Sequence, residues 1–453
     1  MTSTIKVNTI TTESGSTLTI GGCGKTVALA SGASQTGFGR EGSVDWQTSS
    51  IKTSTFTAVS GEGYFVDTSS GGVTANLPAG TAGAIVAFAD YTRSFNSNNL
   101  NVSPNGSNKI GGVAANAVLD VDGQAATFVY VDSTEGWINV QETQTSQAGR
   151  AFITATGGTI TTSGNFKIHT FTGPGTFCVS QISSSSPENT VGYMVVAGGG
   201  ASAGGETAGG GGAGGYREGR NATVDNFTAS PLVANAPTNA VTLTATAFPI
   251  TVGAGGAAPS PGFNVGNNGS QSVFSTITSA GGGGGGPGCA PSKVGIAGGS
   301  GGGGSGFSGA GAAGGAGNTP PVSPPQGNPG GTGSAKPGNT QGSGAGGGAG
   351  GADSNAGPVP DPGGGPGGNG VASSITGSPV TRAGGGGGGL FGPGPFGSGG
   401  PGGGGTGGRA SPNSDGAAGT ANTGGGGGSE GGPGTAAGNG GGSGIVIIRY
   451  KFQ

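Results

Sequence analysis

The sequence predicts an all-β protein with short N-terminal docking strands, a β-sandwich-like domain, and a small β base that carries a bundle of polyglycine II helices. Short segments alternate apolar and polar residues with a period of two, which is typical of strands. Turn signals such as Pro78-Ala79-Gly80 and Asp122-Gly123 separate these segments. Glycine makes up 116 of the 453 residues, several times the average share of about 7%.

Residues 1–40 are predicted to form N-terminal attachment strands and a linker. Two short segments alternate in the strand pattern, and their apolar positions are Ile5, Val7, Ile10, Leu18 and Ile20. Two such strands bury little surface alone, so we expect them to pair with identical copies or to dock on another protein of a larger particle. The N-terminus carries no apolar stretch of the signal-peptide kind, which favours synthesis in a cytoplasm without export.

Residues 41–145 are predicted to form the β-sandwich-like domain. Several short strand-like segments at close spacing are typical of a sandwich or barrel. These segments are residues 53–59, 63–68, 73–77, 84–90, 99–103, 118–121, 126–132 and 136–141.

Residues 146–453 are predicted to combine the β base with the glycine-rich domain. Glycine runs fill much of 198–215 and 281–444, and a closing strand at 444–452 is expected to pair with the strand near Val195. The other base segments are residues 166–171, 175–179, 193–196, 248–252 and 272–278.

The glycine runs need a source of order other than side-chain burial. Glycine loses more backbone entropy on ordering than any other residue. Polyglycine II geometry has three residues per turn and no internal hydrogen bonds, so its backbone groups can pair with neighbouring helices. The six glycines at 281–286 would span about 19 Å in this form.

Composition excludes several function classes. Charged residues are 8% of the chain and the net charge is −3, which weighs against disorder of the glycine-rich half. No basic stripe is present for nucleic acid, and no apolar stretch approaches the ~20 residues of a membrane span. Cys23, Cys178 and Cys289 are far apart and His169 is the one histidine, so no metal or other cofactor is expected.

Catalytic patterns are also absent, so the chain is not predicted to be an enzyme. No acid pair, triad or metal cluster rises above what chance gives in so glycine-rich a sequence. Four aspartates could still pair across strands as depolymerase carboxylates do, namely Asp67, Asp90, Asp120 and Asp132.

Recognition is predicted to belong to the segments between the glycine runs. Leu390, Phe391 and Phe396 are large apolar residues where almost every neighbour is small. They either plug the bundle or a seam between subunits, or form an exposed patch that meets a ligand. The other candidate receptor-binding residues are Lys293, Pro320, Pro321, Asp353, Asp361, Arg409 and Asp415.

Two parts of the chain resemble a known group of proteins. The segments 5–10, 16–22 and 44–48 look like N-terminal regions of marine tailed-phage fibre proteins, cyanophage ones especially. The segments 193–199, 381–384 and 444–450 resemble the glycine-rich, polyglycine II domain found at the C-termini of such fibres and of other surface proteins.

The resemblance implies a virion fibre that binds the host surface, commonly as a homotrimer, with variable loops displayed at the tip of the helices. The N-terminus would dock on another virion protein, and the tip would contact a surface polysaccharide or an outer-membrane protein. Two alternatives remain: a purely structural head or tail fibre without receptor binding, and a secreted protein that binds ice or polysaccharide.

Overall fold

The computed structural model describes residues 44–141, 151–288, 294–306, 311–334, 341–351, 363–410, 413–430 and 436–453. Within these ranges the chain is all-β, as predicted, with one short 3-10 helix at Ser186–Asn189. No helix in the described part is long and apolar enough to cross a membrane. The chain divides into two compact units, the first with residues 44–108 and 119–141 and the second with 109–118 and 151–453.

The first unit is built from two sheets, and one of their strands, Ala117–Leu119, crosses the division of the chain between residues 118 and 119. The strands of the two sheets are β1 (Asp45–Lys52), β2 (Phe56–Thr57), β3 (Glu62–Val66), β4 (Val73–Asn76), β5 (Ile85–Asp90), β6 (Leu100–Ser103), β7 (Ala117–Leu119), β8 (Ala125–Asp132) and β9 (Gly136–Asn139). One sheet has the order β1-β3-β5-β8-β9, and the other has the order β2-β4-β6-β7.

From β1 to β6 the chain alternates between these two sheets, so that successive strands of each sheet are parallel in this stretch, whereas β8 is antiparallel to β5 and to β9. The pairs β1–β3 and β3–β5 are parallel, as are β2–β4 and β4–β6. The ring centroids of Phe56 on β2 and Tyr64 on β3 lie 4.9 Å apart, which joins the sheets across their shared interior. Period-two patterning identifies strands but does not distinguish these parallel rungs from hairpins.

The second unit contains strands β10 (Thr154–Thr156), β11 (Thr159–Ser163), β12 (Phe166–Phe171), β13 (Gly175–Gln181), β14 (Thr190–Val196), β15 (Tyr216–Arg220), β16 (Val233–Asn235), β17 (Val241–Thr242), β18 (Ala247–Thr251), β19 (Ser272–Phe274), β20 (Ile277–Ser279), β21 (Gln341–Gly342), β22 (Val371–Ser373), β23 (Val380–Arg382), β24 (Leu390–Phe391), β25 (Arg409–Ala410), β26 (Asn413–Ser414) and β27 (Ile445–Lys451).

Two larger sheets form the β base of this unit. One has the order β10-β13-β18-β19-β20, and the other has the order β11-β12-β27-β14-β15-β16. The terminal strand β27 lies between β12 and β14 and is antiparallel to both, with Val195 opposite Val446. The pairing predicted for the closing strand is therefore present, and it ties the end of the chain to residues far earlier in the sequence.

The strands β14 and β27 at the centre of their sheet are buried on both faces. One face carries Tyr193, Val195 and Ile448, which pack with Phe177 and Phe274 of the other base sheet. The opposite face packs against residues that flank the glycine runs, and it includes Met194, Val196, Ile447, Val371 and Ala383. A sheet covered on both sides carries continuous apolar strands, as β14 and β27 do.

Between the strands, the glycine runs pair with one another through backbone hydrogen bonds. In residues 198–205 the donors change partner with a period of three residues. Gly198, Ala201 and Gly204 donate to Ser270, Asn267 and Asn264, respectively. Gly199, Ser202 and Gly205 donate to residues of segment 436–442. Gly200 and Ala203 donate to residues of segment 209–212.

Residues 209–215 lie at the centre of this arrangement, and we call them the central run. Their N–H groups donate to three neighbouring segments, residues 280–286, 344–347 and 424–427. Their carbonyl oxygens accept from three others, in residues 197–203, 300–303 and at Gly386. The central run is thus hydrogen-bonded in six directions, which satisfies buried backbone groups without any side chain.

This arrangement requires glycine where neighbouring segments cross closely. A Cβ atom at Gly346 or at Gly426 would overlap the carbonyl oxygen of Gly211 in the central run. Because the obstacle is backbone, no rotamer change relieves it. The abundance of glycine in this unit therefore follows from close approach of backbones.

Candidate functional site

The candidate site is the end of the glycine runs that lies away from the β base, which we call the distal end. It comprises residues 204–208, 262–265, 390–396, 409–410 and 413–415. Residues 198–205 leave the base after β14, and residues 384–389 follow Ala383, which packs against the base sheet; both runs contact the central run. The loops that follow these runs are therefore at the far end from the two large sheets.

A buried polar cluster at the base sets the direction of run 384–389. The Glu218 carboxylate accepts hydrogen bonds from the Tyr216 hydroxyl at 3.1 Å and the Ser373 hydroxyl at 2.5 Å. Ser373 lies on β22, which pairs with β23, and Arg382 at the end of β23 is buried. Ala383 then adopts a left-handed φ of 60° before the run starts, so the hairpin fixes where the run begins.

Burial governs the ionisation of this cluster. It raises the pKa of Tyr216 well above its ordinary value, with the nearby Glu218 charge acting in the same direction. Burial also lowers the pKa of Arg382, partly offset by Tyr216 and Glu218. Tyr216 thus stays a neutral hydrogen-bond donor at ordinary pH. The cluster is enclosed, and its role in the structure is to position elements.

A second buried pair secures the terminal strand. The Arg449 guanidinium contacts Asp225 at 2.5 Å through Nε and at 3.3 Å through Nη2, and both side chains are buried. Its guanidinium carbon also lies 4.4 Å from the Phe166 ring centroid. A charge that is paired and stacked in this way stabilises a fixed arrangement of β27.

At the distal end, three of the predicted site residues come together in a small sheet with the order β21-β24-β25-β26. Leu390 is buried and lies opposite Arg409 in the register, and Phe391 is half-buried. The Arg409 guanidinium donates to the Gly394 carbonyl at 3.1 Å. Leu390 and Phe391 therefore anchor the loop, and Arg409 holds its turn.

The loop anchored in this way presents Phe396 to solvent. Gly392 and Gly394 have φ values of 104° and 146°, which favour glycine over other residues in the turn. Phe396 follows the turn and is exposed, and Asp415 is exposed next to β26. Of the three apolar residues singled out, one faces solvent and two serve as support.

Sequence reasoning missed a further apolar contact at the distal end. Phe263 and Val265 are both exposed, and the Phe263 ring lies against Gly205 in the space that a Cβ atom would fill. The signal for these residues was present, since a large apolar side chain between Gly262 and Gly266 is as conspicuous as Phe396 among its neighbours.

Pro320 and Pro321 lie beside the β base, away from the small distal sheet. The Pro320 carbonyl accepts a hydrogen bond from the Gln326 side chain at 2.8 Å, and Gln326 in turn accepts from the backbone N–H of Ala280. The same loop accepts from Asn239 at 2.8 Å through the Ser323 carbonyl. Both prolines are exposed, but the structure separates them from Leu390 and Arg409.

An open groove of about 470 Å³ adjoins this proline-rich loop. Four separate stretches of chain contribute to it, so no local sequence motif predicts it. Its walls include Pro231, Leu232, Pro325, Asn328, Asn369 and Val371.

Several predicted residues lie outside the described part of the chain. They are Lys293, Asp353, Asp361 and the attachment residues Ile5, Val7, Ile10, Leu18 and Ile20. Among the residues that the structure does describe, no group of three His, Cys, Asp or Glu side chains is placed to hold a metal ion.

Comparison with known proteins identifies the glycine-rich part. No curated protein is similar in sequence to the chain. The family model for the glycine-rich domain matches residues 172–451, a range that begins near β13 and ends with β27. Because that range is more than half of the 453 residues, the chain belongs to the glycine-rich domain family.

Proposed function

We propose that the protein is a bacteriophage tail fibre protein that recognises the host cell surface with loops displayed on a polyglycine II scaffold. The observation that carries this proposal is that backbone groups and side chains have different roles at the distal end. Glycine backbones pair with one another there, while Leu390 and Arg409 hold a turn that presents Phe396. Side-chain chemistry, which recognition needs, is concentrated in the loops.

The polyglycine II assignment rests on the hydrogen-bond pattern. A helix with three residues per turn points successive N–H groups about 120° apart. Successive N–H groups of the central run donate to three acceptor segments in turn, with a period of three residues, and the run pairs with segments on six sides. Six residues of such a helix extend about 19 Å, which would carry the loop after Gly389 well clear of the base.

The proposed partners follow from the resemblance to marine tailed-phage fibre proteins. The protein assembles in the host cytoplasm into the virion as a homotrimer, and its N-terminus docks on another virion protein. The distal end contacts a polysaccharide or an outer-membrane protein of the host. The low charge of the chain, 8% charged residues, suits a surface that binds through shape and apolar contact.

A competition experiment tests recognition at the distal end. Purified full-length protein is added to marine cyanobacterial strains before marine tailed phages, and adsorption is counted. The wild-type protein is expected to reduce adsorption on at least one strain, and Phe396→Ser and Phe263→Ser are expected to weaken this about tenfold, as loss of apolar contacts does. Ile160→Ser, an exposed position on β11 of the base, is the matched control.

The reduction of phage adsorption by the distal variants decides whether the distal end recognises the host. If the distal variants compete as well as the wild-type protein and the Ile160→Ser control, the distal end does not recognise the host. If the wild-type protein reduces phage adsorption on none of the tested strains, the receptor-binding role is wrong.

One observation favours the second candidate, a purely structural fibre or spacer. Leu390 is buried and Phe391 is half-buried, so most of the apolar surface at the predicted patch supports the loop. In a spacer, the distal end would be covered by another virion protein. An image of the intact particle separates the two functions, because a receptor-binding end must be free.

A further inference from the structure

Three aromatic side chains, Trp46, Phe65 and Tyr91, form a row on the outward face of the five-stranded sheet in the first unit, and we call this row the aromatic strip. Tyr64 and Val66 of β3 are buried toward the interior, so Phe65 between them points outward. The ring centroids of Trp46 and Phe65 lie 5.0 Å apart, and those of Phe65 and Tyr91 lie 6.5 Å apart. The strip therefore runs from β1 across β3 to the end of β5.

The rings of the strip are accessible to solvent. Strand register puts Trp46 beside Gly63, where a Cβ atom would come within 2.8 Å of the indole. The indole therefore lies against the backbone of β3, next to Phe65. Trp46 is 37% exposed, Tyr91 is 58% exposed, and Phe65 between them is half-buried. Exposed ring surface is thus available to a ligand along the strip.

A bulge in β1 brings hydroxyl groups to one side of the strip. The register advances from Gln47 to Lys52 on β1 while it advances only from Tyr64 to Val66 on β3, so residues 48–51 stand opposite Phe65. Bulges re-aim the side chains of an edge strand. The exposed hydroxyl-bearing residues of this bulge are Thr48, Ser49 and Ser50.

A fixed carboxylate lies at the other end of the strip. Asp67 is two residues after Phe65, and its Oδ1 accepts hydrogen bonds of 2.9 Å from the Ser69 backbone N–H and from the Thr92 hydroxyl. Thr92 directly follows Tyr91, so this contact holds the carboxylate beside the last ring of the strip. An ionised carboxylate offers about four lone-pair sites, which leaves acceptor capacity for the hydroxyl groups of a ligand.

We propose that the aromatic strip binds a neutral polysaccharide chain. The C–H bonds on the flat face of a pyranose ring are slightly positive, so they are attracted to the negative faces of aromatic rings. A few placed polar groups then fix the orientation of such a ligand. The bulge hydroxyls and Asp67 supply these groups at the sides of the rings, where sugar hydroxyls project. The site lies in the first unit, so the proposal is independent of receptor binding at the distal end.

Other occupants fit the strip less well. A nucleic acid would also stack on the rings, but it needs clustered Lys and Arg, and here Arg93 is opposed by the carboxylates of Asp45 and Asp67 near the two ends of the strip. The same carboxylates would repel an acidic polysaccharide. A protein partner needs a broad apolar centre with its polar groups at the rim, whereas hydroxyls and a carboxylate directly adjoin this single row of rings.

Isothermal titration calorimetry of the full-length chain with neutral hexasaccharides of glucose, galactose, mannose and xylose tests the proposal. At least one of them is expected to bind. Tyr91→Ala is expected to raise the dissociation constant for that sugar about tenfold, because it removes one stacked ring. Val140→Ser, at an exposed position beside β9 on the opposite edge of the sheet, is the matched control and should leave the constant unchanged. Failure of every hexasaccharide to bind, or equal binding by the wild-type protein and Tyr91→Ala, would overturn the proposal.

A fluorescence measurement locates the bound sugar. The chain has two tryptophans, and Trp137 is fully buried, so quenching by acrylamide reports Trp46. The bound hexasaccharide is expected to lower this quenching in the wild-type protein and equally in Phe396→Ser. If Phe396→Ser loses binding while Trp46 stays open to acrylamide in the wild-type complex, the sugar binds at the distal end. That result would overturn the proposal for the strip and leave recognition at the distal end standing.

Discussion

The β base and the hydrogen-bonded glycine runs around residues 209–215, which we call the glycine bundle, are parts of one unit, yet they are stabilised in different ways. In the base, Phe177, Phe274 and Tyr450 fill the space between two sheets. In the bundle, the central run has no side chain larger than that of Ala213, and backbone groups pair on six sides. The base follows the usual rule of apolar burial, whereas the bundle depends on close approach of backbones.

The difference explains why smaller side chains should destabilise the base, whereas larger side chains should destabilise the bundle. Removing atoms from the base leaves a cavity, because its side chains are already in contact. Adding atoms to the bundle creates overlap, because neighbouring carbonyls occupy the space beside each glycine.

The largest effect is expected from truncating the centre of the base. Phe177 is fully buried among His169, Phe248, Phe274 and Tyr450. Phe177→Ala should lower the free energy of unfolding by about 4 kcal/mol. Ile160→Ala, at an exposed position, should change it by less than about 0.5 kcal/mol. Equal effects of the two substitutions in denaturant unfolding would mean that the base is not a packed core.

A smaller effect, of opposite physical origin, is expected in the bundle. Gly346→Ala places a Cβ atom on the Gly211 carbonyl oxygen and should cost about 2 kcal/mol. In the same run, a Cβ atom at Gly351 would lie 3.7 Å from its nearest neighbour, so Gly351→Ala is the matched control and should be near neutral. If both variants unfold at the same denaturant concentration, steric packing of the runs is not what requires glycine.

The smallest effect is a pH dependence confined to the base. Burial lowers the pKa of His169 below its ordinary value of 6.5, and the ring contacts the Gly157 carbonyl and the Tyr450 hydroxyl. The unfolded chain takes up a proton as pH falls below about 6.5 while the folded chain resists it, so stability declines there. The decline is at most about 1.4 kcal/mol per pH unit.

Replacing the imidazole isolates this contribution. His169→Gln should unfold with a flatter pH profile between pH 7 and pH 5 than the wild-type protein, because the chain has one histidine. The measurement is denaturant unfolding at several pH values. Parallel profiles for the two proteins would show that His169 does not resist protonation in the fold.

The base was predictable from sequence where the apolar pattern of a segment identifies a strand. The segment 445–450 is apolar at nearly every position, which indicates a strand covered on both faces, and β27 is such a strand. The parallel rungs of the first unit were not predictable, because β4 and β6 show the same period-two alternation that the strands of a hairpin would.

The distal end was predictable in part. Leu390, Phe391 and Phe396 are conspicuous because their neighbours are small, but composition does not say which of them faces solvent. The answer depends on the register of Leu390 with Arg409 and on the glycine turn at 392–394. The separation of Pro320 from this region depends on contacts with Gln326 and Asn239, which are long-range and carry no local signal.

Amide hydrogen exchange of the native protein tests the central claim, that backbone pairing orders the glycine bundle, most directly. The N–H groups of the central run are bonded to three neighbouring segments, so they open only when the bundle does. The account predicts protection of Gly211 and Gly212 comparable to that of Val195 on β14. Exchange of these glycines at the rate of an unstructured peptide, with Val195 still protected, would contradict it.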